Sequence, residues 1–130
     1  MKLKDLNPEW VRYETLVEAY SVVDGDSATW RERGCPTKEV TGPREYTIPV
    51  GSFAEAQGVW FDCPKGCDHR CEVSFEDRAV QPSQGTHKEN GDPVRWKASG
   101  DSFDTLTTTP SIQLIGGCAW HGFITNGVVT

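Results

Sequence analysis

Residues 58–75 read GVWFDCPKGCDHRCEVSF and contain two strand-like segments joined by a turn that carries cysteines. The first segment, Gly58–Asp62, has the aromatic and β-branched composition of a strand. The second, Cys71–Phe75, alternates polar and apolar side chains as a half-buried strand does. Between them, Cys63 and Cys67 enclose Pro-Lys-Gly, residue types that bend the chain. The stretch therefore predicts a β-hairpin with two cysteines in its turn.

Further strand patterns lie on both sides of this hairpin. Residues 44–50 and 94–98 alternate, and residues 105–114 are rich in β-branched side chains but contain Pro110, which predicts an edge strand or a bulge there. Residues 120–129 predict a second hairpin around Asn126-Gly127, a pair suited to positive φ. We expect a mainly β fold of five to seven short strands, with a β-rich α+β fold as the alternative.

The N-terminal part is less decisive. Residues 8–20 fit either a short helix, with Asn7 as its cap and Pro8 in its first turn, or a strand. Residues 21–43 are rich in Gly, Asp and Pro and predict an irregular connection. A chain of 130 residues fits one domain, 1–130. Within it we distinguish an N-terminal part without a motif, residues 1–55, from a metal-binding β core, residues 56–130.

Composition and charge exclude some classes of function. The formal net charge of -6 and the pI near 5.0 would repel a phosphate backbone, so we expect no nucleic-acid partner. The N-terminal segment, residues 1–8, is followed by no apolar run long enough for export or for membrane insertion. We therefore expect no membrane association and a cytoplasmic location.

The cysteines favour a metal site. Five cysteines cannot all pair within one chain, and cysteines of a cytoplasmic protein are thiols or metal ligands rather than disulfides. A second ligand pair, Cys118 and His121, lies some fifty residues after Cys63 and Cys67. Two turns that each supply two nitrogen or sulfur donors satisfy tetrahedral zinc. The sequence therefore predicts a zinc site formed by Cys63, Cys67, Cys118 and His121 that clamps two hairpin turns.

Two points about this site stay open. Cys71 repeats the three-residue gap after Cys67 and is a reserve ligand, whereas His69 fits a solvated position beside Asp68. Four protein ligands would make the zinc structural. A catalytic zinc would instead have three protein ligands, a water molecule and a carboxylate nearby, such as Asp62 or Asp104.

Ser111 is the candidate nucleophile, because it follows Pro110 in a threonine-rich strand close to the second metal turn. A serine hydroxyl becomes nucleophilic when a base lies within hydrogen-bonding reach, and His121 can be that base only if it does not bind zinc. In the alternative, residues 110–112 form a bulge and the Ser111 hydroxyl bonds to backbone.

Four sequence elements together resemble a small domain family of phages, prophages and bacterial mobile islands. They are residues 59–67 with the Cys-Pro-x-Gly-Cys turn, residues 94–96, the tripeptide Pro110-Ser111-Ile112, and residues 118–127 with the Cys-x-x-His turn. Many members carry a further cysteine where this chain has Lys65. The resemblance implies phage or prophage origin and a zinc-binding β-rich fold. For some relatives it also implies a place beside bacterial ubiquitin-like conjugation genes, with a suspected peptidase role.

Three functions follow as expectations. The first is a zinc-stabilised protein-interaction or accessory module that binds a host factor or a component of the phage particle. The second is a hydrolase or peptidase, with ubiquitin-like tails as the expected substrate, that uses Ser111 or a zinc-bound water. The third is a virion decoration or minor structural protein. Accordingly, the expected location is the host cytoplasm or the phage particle.

Overall fold

The computed structural model describes residues 1–17, 43–114 and 119–130. Cys35 and Cys118 lie outside these residues, as does most of the predicted irregular connection. The chain divides into two compact units, residues 1–13 with 47–130, and residues 14–46. The described residues of the second unit, 14–17 and 43–46, belong to the ends of two strands of the first sheet.

The first sheet is four-stranded and has the order β2-β1-β3-β4. Its strands are β1 (Glu9–Val17), β2 (Pro43–Val50), β3 (Gly58–Asp62) and β4 (Arg70–Ser74). Strands β3 and β4 form an antiparallel hairpin in which Phe61 lies opposite Cys71. The cysteine turn is therefore the connection of this hairpin, as the sequence predicts.

The second sheet is also four-stranded and runs in chain order. Its strands are β5 (Lys97–Ser99), β6 (Thr107–Gln113), β7 (His121–Thr125) and β8 (Val128–Val129), all antiparallel to their neighbours. Asn126 and Gly127 form the β7–β8 turn with φ of 46° and 73°, the positive values expected for this residue pair.

Strand β6 contains a bulge at its centre. Thr108 pairs with Ile124 and Ile112 pairs with Gly122, so three residues of β6 lie opposite the single residue Phe123 of β7. The three are Thr109, Pro110 and Ser111, and the peptide bond between the first two is cis. The bulge predicted from Pro110 is therefore present, with Ser111 as its last residue.

One hydrophobic core joins the two sheets in the unit formed by residues 1–13 and 47–130. Trp10 stacks on Phe103 with ring centroids 4.2 Å apart, and Phe61 meets Trp120 edge-on at 5.8 Å. The fully buried aliphatic side chains come from both sheets and from the 3-10 helix Leu3–Leu6; they include Leu3, Val59, Val73, Leu106, Ile112 and Ile124.

The fold class is mainly β, as predicted. The sequence of residues 8–20 fits either a helix or a strand; in the described part of this range, Glu9–Val17 form strand β1, and Glu9, Trp10 and Val11 pair with β3. The predicted strand 94–98 differs, since β5 begins only at Lys97. Among the described residues the helices are two short 3-10 turns, Leu3–Leu6 and Phe53–Glu55, and neither has the length or apolar character to cross a membrane.

Candidate active site

Ser111 and His121 form a hydrogen bond on the outer face of the second sheet. The Nε2 atom of His121 lies 3.2 Å from the Oγ atom of Ser111. This distance is within the range for a nucleophile and its general base in the absence of substrate. The alternative role for Ser111, a hydroxyl bonded to backbone within the bulge, is not what the structure shows.

Strand register explains why these two side chains meet. Gln113 of β6 pairs with His121 of β7, and their side chains therefore project from the same face of the sheet. Ser111 precedes Gln113 by two residues and shares that face, while the intervening Ile112 is fully buried on the other. His121 and Ser111 are thus diagonal neighbours across an antiparallel strand pair. The hydroxyl is half-buried and the imidazole is exposed to solvent.

The backbone of Ser111 is held by Trp96. The indole Nε1–H donates a hydrogen bond to the carbonyl oxygen of Ser111 over 3.3 Å, and the tryptophan is 2 % exposed. Trp96 is itself fixed to the first sheet, because its amide donates to the carbonyl of Ser74 and its own carbonyl accepts from the amide of Glu76. The indole thereby ties the bulge that carries Ser111 to the edge of strand β4.

A buried hydroxyl network lies behind this connection. The Tyr13 hydroxyl is 2.8 Å from Ser74 Oγ, which accepts a hydrogen bond from the amide of Thr86. Burial, and then the nearby Glu72 carboxylate, raise the pKa of Tyr13 above its ordinary value. Gly85 lies so close that a Cβ atom there would collide with Ser74 Oγ. The network leaves no room for a side chain at that position.

Arg95 shapes the loop next to Trp96. Its guanidinium group donates to the carbonyl oxygens of Gln81, Gln84, Thr86 and Val94 at distances of 2.6 to 3.0 Å. Partial desolvation lowers the pKa of Arg95, and every one of these bonds goes to a neutral acceptor. The side chain therefore organises the loop rather than offering a free charge.

The cysteine turn is compact. The Cys63 amide donates to the carbonyl of His69 over 3.0 Å, and the Gly66 amide donates back to the carbonyl of Cys63 over 2.9 Å. Gly66 has a φ of 79°, a conformation that favours glycine. Cys63 and Cys71 are buried and Cys67 is half-buried. His69 is exposed, as predicted.

Only part of the predicted zinc site lies in the described residues. Phe61 and Trp120, which flank the two ligand turns, are in contact, so the first turn and the end of the second approach each other. In residues 1–17, 43–114 and 119–130, however, no three His, Cys, Asp or Glu side chains converge as a metal site would require. Cys118 is outside these residues. The set of Cys63, Cys67, Cys118 and His121 therefore stays a prediction.

The hydrogen bond to Ser111 bears on the role of His121. A neutral imidazole that binds zinc through Nδ1 carries its proton on Nε2 and cannot accept one from serine. Catalytic base and zinc ligand through Nδ1 are therefore alternatives, and the 3.2 Å contact fits both, since Nε2 can accept a proton from the Ser111 hydroxyl or donate one to its oxygen. In the part of the chain that the structure describes, Nδ1 of His121 has no hydrogen-bond partner.

A family model matches most of the chain. The model for the serine protease of a bacterial ubiquitination-like system, BubE, matches residues 37–130, which is more than half of the chain. The chain belongs to the BubE family. The matched segment includes Ser111, His121 and Trp96, together with strands β3 to β8. No curated protein and no solved structure matches the chain.

Membership of the BubE family sharpens the resemblance drawn from the sequence. The link to bacterial ubiquitin-like conjugation and to a peptidase agrees with the family description. Zinc binding and phage origin are not part of that description and stay predictions. Sequence reasoning missed Trp96 as the residue that holds Ser111, because the alternation of residues 94–98 indicates only that its ring is buried.

Proposed function

We propose that this BubE-family protein is a serine hydrolase that cleaves peptide or isopeptide bonds within a bacterial ubiquitination-like system. The observation that carries the proposal is the 3.2 Å contact between His121 Nε2 and Ser111 Oγ. The family description, a serine protease, names the same chemistry. Of the three functions expected from the sequence, hydrolysis is the one that uses both side chains.

The geometry supports a two-step acyl transfer. In the first step the Ser111 oxygen attacks the carbonyl carbon while its proton passes to Nε2 of His121. The resulting imidazolium then donates that proton to the leaving nitrogen, and the C–N bond breaks. In the second step water, deprotonated by the same imidazole, releases the acyl group and restores the hydroxyl. This cycle requires the tautomer with the proton on Nδ1 at the start.

The position of the pair suits a large substrate. Ser111 and His121 lie on the open face of a sheet, and Phe123, on the same face two residues after His121, is 50 % exposed. A bond at the end of an extended tail can reach such a surface, whereas a bond within a folded domain cannot. This supports a substrate in which a flexible segment joins a ubiquitin-like protein to its target or to its own C-terminal extension.

Covalent labelling tests the proposal without knowledge of the natural substrate. A fluorophosphonate probe should modify wild-type protein at Ser111, as peptide mass spectrometry would show. Ser111→Ala should abolish the labelling, and Ser99→Ala, an exposed serine on β5, serves as the matched control. His121→Ala should slow the reaction by roughly 10²- to 10⁴-fold, the usual contribution of a general base. Folded wild-type protein that stays unlabelled at Ser111 would refute the proposal.

The expected protein-interaction module and the virion role need neither residue. No contact in the described residues favours them over hydrolysis, and a partner protein enters here as a substrate.

A further inference from the structure

A cleft opens beside Ser111 on the side away from His121. Its volume is about 310 Å³. It is bounded by the bulge and the end of β6, by the loop at residues 86–88 and by residues 94–96, which precede β5. Ser111 lies on its wall, whereas His121 does not. Ser111 therefore lies between the cleft and His121.

This arrangement fixes the direction in which a substrate would bind. The general acid must reach the leaving nitrogen, so the leaving group has to lie on the His121 side of the attacked carbon. The acyl part then extends the opposite way, from Ser111 on β6 toward the start of β5. The cleft is in that direction. It is placed to receive the side chain of the residue whose carbonyl carbon Ser111 attacks.

The walls of the cleft are mainly apolar. Val94, Trp96, Pro110 and Leu114 contribute hydrocarbon surface. Trp96 is also the residue that holds the Ser111 carbonyl, so this wall is rigidly connected to the nucleophile. A volume near the lower end of the usual range for ligand pockets, roughly 300–1,000 Å³, suits one amino-acid side chain with part of its backbone. Burial of an aliphatic side chain in this cleft would contribute most to the binding free energy, because its surface is entirely apolar.

Lys88 and Arg95 both line the cleft with a positive charge, and they differ in whether their hydrogen-bond donors are engaged. Arg95 also lines the cleft, but its guanidinium group already donates to four carbonyl oxygens. Lys88 is exposed, and its ammonium group makes no hydrogen bond or ion pair with the described residues. His87 is half-buried, with Nε2 2.6 Å from the carbonyl oxygen of Pro82. A substrate carboxylate would therefore meet Lys88 first.

We propose that this cleft selects the acyl side of the substrate: an aliphatic side chain at the residue that is cleaved, preceded by an acidic residue that pairs with Lys88. The proposal rests on the serine hydrolase function proposed above and specifies its substrate class. It defines Val94 and Lys88 as specificity residues, and neither takes part in bond cleavage.

Peptidyl diphenyl phosphonates test the aliphatic preference directly. In this reaction the Ser111 oxygen forms a bond to phosphorus, a phosphorus–phenoxide bond breaks, and phenol leaves with the proton that His121 accepted. The probes would differ only in the side chain next to phosphorus: isobutyl, hydrogen or aminobutyl. We expect the isobutyl probe to react at least about tenfold faster than the other two, the effect of a few methylene groups in an apolar pocket.

Filling the cleft should remove that preference. Val94→Trp should bring the isobutyl-to-hydrogen rate ratio close to one, while Val128→Trp, a matched change on the exposed β8, should leave it as in wild type. The ratio is the readout because a general loss of activity affects both rates alike. Thermal unfolding of each variant reports whether it folds. A folded Val94→Trp protein that keeps the wild-type ratio would overturn the proposal.

The acidic preference has its own pair of variants. Probes with Asp or Lys at the preceding residue should react in the order Asp before Lys, and Lys88→Glu should reverse that order. Lys2→Glu, at the opposite edge of the second sheet, makes the same charge change and should keep the wild-type order. An unchanged order in Lys88→Glu would remove the carboxylate from the proposal.

The two proposals fail in different ways. If no phosphonate labels Ser111 of folded wild-type protein, the hydrolase function fails. If all probes label Ser111 at equal rates, the nucleophile is real, and only the specificity assigned to the cleft is wrong.

Discussion

The indole N–H of Trp96 donates to the carbonyl oxygen of Ser111, so a residue bound to the first sheet holds the backbone of Ser111 in the second. Trp96→Phe keeps an aromatic ring in the core but removes this donor. We expect the rate of fluorophosphonate labelling to fall about tenfold, because a misplaced nucleophile reacts more slowly.

The control for this variant is Trp120→Phe, which alters another buried tryptophan whose edge contact is with Phe61. Trp120→Phe should lower stability without the same loss of rate per folded molecule. If Trp96→Phe labels as fast as wild type at 25 °C, the hydrogen bond to Ser111 has no positioning role.

Thr108 offers a stabilising substitution. Its Oγ1 atom is buried, and in the described residues it has no hydrogen-bond partner. Thr108→Val replaces the hydroxyl with a methyl group of similar size and relieves the cost of burying an unpaired polar group, about 1–3 kcal/mol. In urea unfolding, the urea concentration at the midpoint should rise, while the dependence of the unfolding free energy on urea concentration should stay the same. A lower midpoint would mean that the Thr108 hydroxyl has a hydrogen-bond partner in solution.

Tyr13 should make the fold sensitive to alkali. Its pKa is raised in the folded protein, so above pH 10 the unfolded chain loses a proton that the folded chain retains. Stability from this group is fully present below the ordinary tyrosine pKa, near 10, and decreases as the pH rises beyond it. Chemical unfolding between pH 9 and pH 11 should show this decrease, and Tyr13→Phe should reduce it.

Tyr13→Phe should also lower the stability of the protein at neutral pH. Loss of the bond to Ser74 Oγ should lower the free energy of unfolding by about 1 kcal/mol. Tyr46→Phe removes a phenol elsewhere and should retain the alkaline decrease. A Tyr13→Phe protein with the full wild-type decrease would show that other groups cause it.

The zinc prediction can be separated from catalysis. If His121 is the general base of the proposed reaction, its Nδ1 carries a proton and does not bind zinc, so we then expect any bound zinc to be held by cysteines, with Cys71 as the reserve ligand in place of the imidazole. Elemental analysis should then find zinc lost in Cys63→Ser and Cys118→Ser but retained in His121→Ala and in the control Cys35→Ser. Metal-free wild-type protein, or loss of zinc in His121→Ala alone, would contradict this expectation.

Local pattern predicted much of the sheet structure but not its connections. The bounds of β3 match the predicted strand because β3 pairs with β1 on one side and β4 on the other, and the cysteine turn follows directly. The strand predicted for residues 94–98 begins later than expected for a physical reason. The amides of Val94 and Trp96 donate to the carbonyl oxygens of Thr86 and Ser74, so the segment joins the second sheet only at Lys97. Such partners are distant in sequence and leave no local signal.

The site was predictable as a set of candidates. Ser111 and His121 carry the required chemistry, yet the sequence does not show that the two side chains meet. Their contact depends on which residues are diagonal neighbours across β6 and β7, and the pairing of Gln113 with His121 sets that relation. The role of Trp96 depends on the contact between two sheets and was equally hidden.

The bulge in β6 also shows which sequence changes this part of the strand can tolerate. Between the buried residues Thr108 and Ile112, β6 has three residues where β7 has the single residue Phe123, so a regular strand would need only one. A homologue that lacks the first two of the three can keep the same pairing, the same interior and the residue that precedes Ile112. The identity of that one residue, serine or another, and not the length of the interval, should therefore separate relatives able to carry out the proposed hydrolysis from those that are not.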